Sequence, residues 1–248
     1  MRLKISDIGM RFGKLTALRG VHSGAEGGKI IAVLGPNASG KTTLLRIMAG
    51  LLSPTDGKIE LDGSQVDKMS PHDRASKISW VPRIAEVSGS FTIRRVVELG
   101  RYSLGPSSHR VDDALAKLEL LDRSESLWHT ASAGMRQRAA FARALAQRTP
   151  GGLFVLDEPS SALDLHHLKS MGALLRQCAN EGDIVVAALH DISFAMEIAD
   201  SVVVLKEGQV VLDGQTNAVL TPSSLGGIYG VDLTWAVDDG GNRHLVRA

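Results

Sequence analysis

One cysteine in 248 residues, Cys178, excludes an internal disulfide. A reducing, cytoplasmic setting is the expected one. Cys178 falls in a helical pattern, where a small buried apolar residue is the ordinary use of the type. An excess of charge of one sign is also missing: 28 Lys and Arg stand against 27 Asp and Glu, for a formal net charge of +1. That removes the global electrostatic case for nucleic acid as a partner. Long apolar runs are absent too. The longest are a few residues, far below the roughly 20 that cross a bilayer. Met1-Arg2-Leu3-Lys4-Ile5 shows no signal-peptide apolar core. Any membrane role is therefore expected to run through a partner. What is present, 44% hydrophobic and 22% charged residues, suits one large α/β domain or a core carrying a subdomain.

The most informative stretch is Gly35-Pro36-Asn37-Ala38-Ser39-Gly40-Lys41-Thr42. It is a complete phosphate-binding P-loop. The apolar run Lys29 to Leu34 leads into it, and the helix-patterned Thr43 to Ala49 leads out, so the required strand–loop–helix context is present. The glycines allow backbone N–H groups to close on phosphate oxygens. Lys41 offers a point charge for the β/γ-phosphates, and the Thr42 hydroxyl is a hard oxygen suited to Mg²⁺.

Around it the pattern alternates between strands and helices. Residues 2 to 34 read as strands broken at Gly13-Lys14 and Gly27-Gly28. Gly50 is a plausible helix C-cap, and Lys58 to Gly63 reads as a strand and tight turn. Ile78 to Val81 is a strand stopped by Pro82. Thr92 to Gly100 and Val111 to Leu121 read as helices around a loop, Ser103 to His109; the second carries an apolar stripe, Val111, Ala114, Leu115, Leu118 and Leu121. Arg136 to Gln147 is an alanine-rich helix. Unbroken apolar strands at Leu153 to Leu156 and Ile184 to Leu189 point to a parallel sheet covered on both faces, with a helix from Leu165 to Asn180 between them. Val202 to Leu205 and Gln209 to Leu212 form a hairpin, Pro222 to Tyr229 a short helix, and Asp239-Gly240-Gly241 the turn of a last hairpin. The division expected is a core over 1–83 and 149–248 with an inserted helical subdomain over 84–148.

Two further constellations carry chemistry. Asp157 and Glu158 end an apolar strand; if it runs parallel to the strand before the P-loop, its carboxyl end lies beside the phosphates. Asp157 then holds Mg²⁺ through water and Glu158 polarises an attacking water, which is most of what phosphoryl transfer requires. His190 ends the next apolar strand, where its imidazole can bond the terminal phosphate and orient the water. His166 and His167, adjacent on a helix, read as surface residues.

The order of these elements, with Ser132-Ala133-Gly134-Met135-Arg136-Gln137-Arg138, Leu156-Asp157-Glu158-Pro159 and Ser161-Ala162-Leu163-Asp164, resembles the ATP-binding subunit of ABC transporters along essentially the whole chain. Phe91-Thr92-Ile93, Val97 to Arg101 and Ser161 to Leu165 look most like importers of iron chelates, haem and vitamin B12. The resemblance implies a P-loop NTPase (RecA-like) α/β core with N-terminal antiparallel strands and the inserted helical subdomain. It implies ATP and Mg²⁺ as cofactors. Phe12 would stack on adenine, and Gly35 to Thr43 would bind the phosphates. Thr42 and Asp157 would serve Mg²⁺. Glu158 would be the catalytic base and His190 the switch histidine. Ser132 and Gly134 would reach the γ-phosphate held by a second copy, with Asp164 facing that copy. A homodimer would then drive transmembrane permease subunits, and indirectly a substrate-binding protein, from the inner face of the membrane. No nucleic acid is expected.

Two departures bear on turnover. Where the family usually has Leu-Ser-Gly-Gly-Gln, this chain has Ala131-Ser132-Ala133-Gly134-Met135, so one glycine has gained a methyl and the glutamine has become a thioether. After Trp80-Val81-Pro82 the family places a glutamine; here stands Arg83, a permanent cation with donors only. It would repel Mg²⁺ but could bind the γ-phosphate. A hydrolysis-impaired subunit with a regulatory or structural role is the alternative reading. Arg83, Arg94, Arg95 and Arg101 also gather positive charge around the helical subdomain, as either a solvated surface or the docking place of the membrane partner.

Overall fold

A computed structural model describes residues 1–160, 163–237 and 243–248, the side chains of Arg243 and His244 excepted. The chain opens on β1 (Arg2–Phe12) and β2 (Leu15–Glu26), paired antiparallel across Gly13 and Lys14. After β3 (Lys29–Leu34) comes α1 (Lys41–Met48), then β4 (Asp56–Leu61), the short β5 (Ser64–Gln65), α2 (Pro71–Lys77) and β6 (Ile78–Val81). The next three helices are α3 (Ile93–Glu98), α4 (Ser108–Lys117) and α5 (Ala133–Gln147). Strands return with β7 (Leu153–Asp157), followed by α6 (Leu165–Asn180), β8 (Ile184–Ala188), α7 (Ile192–Ile198), β9 (Ser201–Lys206) and β10 (Gln209–Gln215). The chain ends on α8 (Thr216–Val219), α9 (Pro222–Tyr229) and a hairpin of β11 (Leu233–Val237) with β12 (Arg243–Arg247). The turn read at Asp239-Gly240-Gly241 lies outside the described residues, as do Ser161 and Ala162.

Two sheets position everything else. One is antiparallel, in the order β2-β1-β4-β5; the other has the order β10-β9-β3-β8-β7-β6 and is parallel except at its β9–β10 edge. The parallel strands are apolar at nearly every position because both of their faces are covered. In β3, Ile31 and Val33 pack with Leu44 and Leu45 of α1 and with the antiparallel sheet, while Ile30, Ala32 and Leu34 face the other way, toward Leu175 of α6 and the α3–α5 side. Strand period 2 thus divides one run between two cores.

Between β6 and β7 the described residues hold α3, α4 and α5 and no strand of either large sheet. Of the apolar stripe expected here, Val111, Ala114 and Leu115 are buried on α4 against this group, whereas Leu118 and Leu121 lie past the end of the helix and Leu121 is exposed. Phe141 of α5 packs on Phe154 of β7 with ring centroids 5.7 Å apart, so the helices are fixed to the parallel sheet. Truncating a ring so fully buried as Phe154 costs about 3–5 kcal/mol. The turn that follows α3 also approaches α5 closely: a Cβ on Gly100 would lie 2.2 Å from the Arg143 carbonyl oxygen.

Helices α2, α7 and α4 are among the elements that differ from the sequence expectation. Helix α2 was not expected; Ser70 caps it by accepting from the Asp73 N–H at 3.1 Å, with Pro71 opening the first turn. Helix α7 follows His190 directly and is capped by Asp191, which accepts from the Phe194 N–H at 3.0 Å. Helix α4 begins at Ser108 and so takes two residues from the expected loop.

Candidate functional site

The register of the parallel sheet builds the site. Val33 of β3 and Asp157 of β7 both pair with Ala188 of β8. The three strands therefore end side by side, and the segments that leave their carboxyl ends meet one another. After β3 comes the P-loop, after β7 comes Glu158, and two residues past β8 comes His190.

The loop turns where only glycine fits. Gly35 has φ of +139°, and a Cβ on it would lie 2.0 Å from the Leu205 carbonyl oxygen. Gly40, with φ of +103°, would bring a Cβ to 2.8 Å from both the Ala17 carbonyl and Leu18. The first-turn N–H groups of α1 begin there and have no helical acceptors, so they are available to an anion. Lys41 Nζ donates to the carbonyls of Gly35 at 2.7 Å and Pro36 at 3.1 Å. Burial pushes its ammonium below the ordinary value, and the carboxylates of Glu158 and Asp157 oppose that, while Arg83 adds to it.

Thr42 Oγ1 donates to Asp157 Oδ1 at 3.1 Å. Asp157 is almost fully buried, and that burial raises its carboxyl above the ordinary value; the Thr42 hydrogen bond works against the shift and Glu158 works with it. Glu158 is held in the left-handed region, with φ of +48°, and its N–H donates to the Ala188 carbonyl at 3.1 Å. Such a conformation is strained for a residue with a side chain. It ends the strand abruptly and belongs to the same turn that carries the carboxylate into the cleft. His190 Nε2 lies 2.6 Å from Glu158 Oε1, and Arg83 Nε lies 2.8 Å from Glu158 Oε2. The Arg83 contact is an ion pair and not an aligned hydrogen bond, so Oε2 is buried without a hydrogen-bond donor.

These residues open on a cleft of about 540 Å³ lined by Phe12, Leu15, Thr16, Asn37 to Thr43, Arg83 and Glu158. That is a volume in the range of small-ligand sites. The donor set fits a magnesium nucleotide: a hydroxyl and a carboxylate, both hard oxygens, stand together, and Ser39 Oγ is buried in the loop with no partner of its own. Phe12 lines the cleft and is half exposed.

Of the residues expected in the site, Phe12, Gly35 to Thr43, Asp157, Glu158 and His190 are brought to this one place. Ser132, Gly134 and Asp164 are not among the residues lining the cleft. Ser132 caps α5, accepting from the Met135 N–H at 3.2 Å, and Asp164 caps α6, accepting from the His167 N–H at 2.9 Å. Two participants were missed by sequence reasoning. The Gly35 N–H donates to the Tyr229 hydroxyl at 3.0 Å, and Gln137 Nε2 donates to the Pro82 carbonyl at 3.3 Å, tying α5 to the segment that carries Arg83. No local pattern marks either one, because both contacts are long-range.

The ABC transporter family model matches residues 18–161, more than half of the chain. The chain belongs to the ABC transporter family. This ABC subunit is 34% identical to the hemin import ATP-binding protein HmuV of Rhodopseudomonas palustris strain HaA2, over 97% of its own length and 95% of the relative's. It is 35% identical to the cobalamin import ATP-binding protein BtuD of Halobacterium salinarum, over 91% of its length and 58% of the relative's. Among solved structures it superposes on a transporter assigned to the metal-chelate type, in an inward-facing conformation, with TM-score 0.82, 26% identity and coverage of 99% and 97% of the two chains. It also superposes on a dimeric ATP-binding cassette in a post-hydrolysis state bound to ADP and Pi, with TM-score 0.79, 26% identity and coverage of 86% and 98%. The ABC subunit is thus an ATP-binding and hydrolysing cassette of the importer type. Among the described residues no helix is long and apolar enough to cross a membrane.

Proposed function

We propose that the chain powers an importer of haem, iron chelates or a corrinoid, working as a homodimer under transmembrane permease subunits at the inner face of the membrane. The observation that carries this reading is the half-built site. Lys41, Thr42 and Glu158 line one cleft, with Asp157 touching Thr42 and His190 touching Glu158, while Ser132, Gly134 and Asp164 are not among its lining residues. A second copy facing the cleft would supply the missing groups, each copy completing the other's site.

Each residue has a role that its geometry supports. Phe12 stacks on adenine, and the loop N–H groups with Lys41 take the phosphates. Thr42 and Asp157 would hold Mg²⁺, which, when bound, neutralises phosphate charge. Glu158 accepts a proton from water as the water oxygen attacks the γ-phosphorus; the bond to the β-phosphate oxygen breaks, and ADP and inorganic phosphate leave. His190, on the other oxygen of Glu158, fixes the direction of that carboxylate. The pairing of Glu158 with His190 speaks against a hydrolysis-impaired subunit.

A docking place for the permease is part of this reading. A second cleft of about 390 Å³ is lined by Arg95, Glu98, Leu99, Arg101, Tyr102 and Pro106, with Tyr102 88% exposed. Exposed aromatic and arginine side chains beside an apolar floor suit a protein partner. The decisive experiment is co-purification with the permease, reconstitution in vesicles, and ATPase measured with a binding protein loaded with haem, an iron chelate or a corrinoid. Stimulation by one of these is expected. Stimulation only by an unrelated class of solute overturns the substrate reading.

A further inference from the structure

We propose that Arg83 is a transferable counter-ion: it pairs with Glu158 while the cleft is free of nucleotide and moves to the terminal phosphate when ATP enters. The inference rests on the ATP reading above and goes beyond it. Four observations carry it. Arg83 Nε stands 2.8 Å from Glu158 Oε2 without an aligned hydrogen bond, so the attraction is coulombic and not locked in direction. The Arg83 side chain is 57% exposed and that of Glu158 only 5%, so the arginine is the mobile member. Both line the cleft that holds Lys41 and Thr42. The loop beside Arg83 is anchored at its base by Gln137, which donates to the Pro82 carbonyl at 3.3 Å, so the guanidinium can swing without the chain moving.

The exchange follows from charge and shape. A terminal phosphate carries more negative charge than one carboxylate, and guanidinium forks match phosphate oxygens bidentately. ADP has no γ-phosphate to offer, so Arg83 stays on Glu158. His190 stands 2.6 Å from the other oxygen of Glu158, so releasing Arg83 frees one carboxylate oxygen without freeing the side chain. Arg83 is thereby a residue that tells ATP from ADP, and only ATP unmasks the base.

Two measurements test it. The first is equilibrium binding of ATP and ADP, in chelator so that nothing turns over, to Glu158→Gln protein with and without Arg83→Gln. Arg83→Gln is expected to weaken ATP about tenfold and ADP by less than twofold, and Arg83→Lys to recover part of the loss. No loss in the Glu158→Gln background overturns the transfer, because Arg83 would then act only by neutralising Glu158; an equal loss for both nucleotides overturns it too, because Arg83 would then not read the γ-phosphate. The second is a melting-temperature cycle of Arg83→Gln and Glu158→Gln without nucleotide. Non-additive shifts of a few degrees are expected; strict additivity overturns the resting pair. Wild-type binding of ADP is the reference: if it is absent, the nucleotide reading itself has failed, and the proposal with it.

Discussion

The hydroxyl of Tyr229, on the last turn of α9, accepts a hydrogen bond from the N–H of Gly35 at 3.0 Å. One of the last helical residues of the chain thus holds the first residue of the P-loop. Gly35 is buried, so its N–H has no water to turn to. Burial also raises the Tyr229 hydroxyl above its ordinary value, against the Gly35 hydrogen bond. Tyr229→Phe keeps the ring and removes the acceptor. A loss of about 1–3 kcal/mol in urea unfolding is expected, with a several-fold weakening of ATP binding. Wild-type stability in the variant would show that this N–H finds another acceptor.

Thr42 and Asp157 form the hard-oxygen pair of the site. Thr42→Val preserves shape and removes the hydroxyl. The expected result is loss of most of the gain in ATP affinity that Mg²⁺ gives over chelator, with affinity in chelator nearly unchanged. An equal loss in both conditions would assign Thr42 to the phosphates instead.

Asp183 has no exposed surface and is held by Arg148 and by the Gly152 N–H at 3.0 Å. Burial pushes its carboxyl above the ordinary value, against the pull of Arg148. Arg148→Met leaves the charge alone and is expected to cost about 3–5 kcal/mol near neutral pH. An acid with a raised folded value binds its proton more tightly when folded, so it favours folding at low pH and loses that contribution as pH rises. The deficit of the variant should shrink as pH falls toward the carboxylate range. A deficit independent of pH would remove the charge from the explanation.

Burial raises the Cys178 thiol to about 12. Near pH 8 the folded protein carries almost no thiolate, and alkylation by iodoacetamide should be slow until urea unfolds the chain. The same shift weakens folding as pH climbs from the ordinary thiol value of 9.0 toward about 12. Fast alkylation of folded protein at pH 8 would show that the α6 face opens locally.

Much of this was legible in the sequence, and the reason is physical. The P-loop, the carboxylates after Leu156 and His190 are each announced by a local pattern, an apolar strand ending in polar residues. The parallel register then brings them together without further information. The Tyr229–Gly35, Gln137–Pro82 and Arg83–Glu158 contacts join segments far apart in sequence, and no period or turn signal marks them. Helix α2 was missed for another reason. At seven residues it is too short to show an apolar period, and its only signals are Ser70, Pro71 and Asp73. At Ser132 the capping geometry is local and visible, whereas any contact with a second copy is not a property of one chain.

The most direct test of the account is ATPase rate per subunit against protein concentration, for wild type and Glu158→Gln. A half-site completed by a second copy predicts a rate per subunit that rises with concentration to a plateau, and a Glu158→Gln rate at background throughout. A wild-type rate that is independent of concentration, or no greater than that of Glu158→Gln, would contradict it.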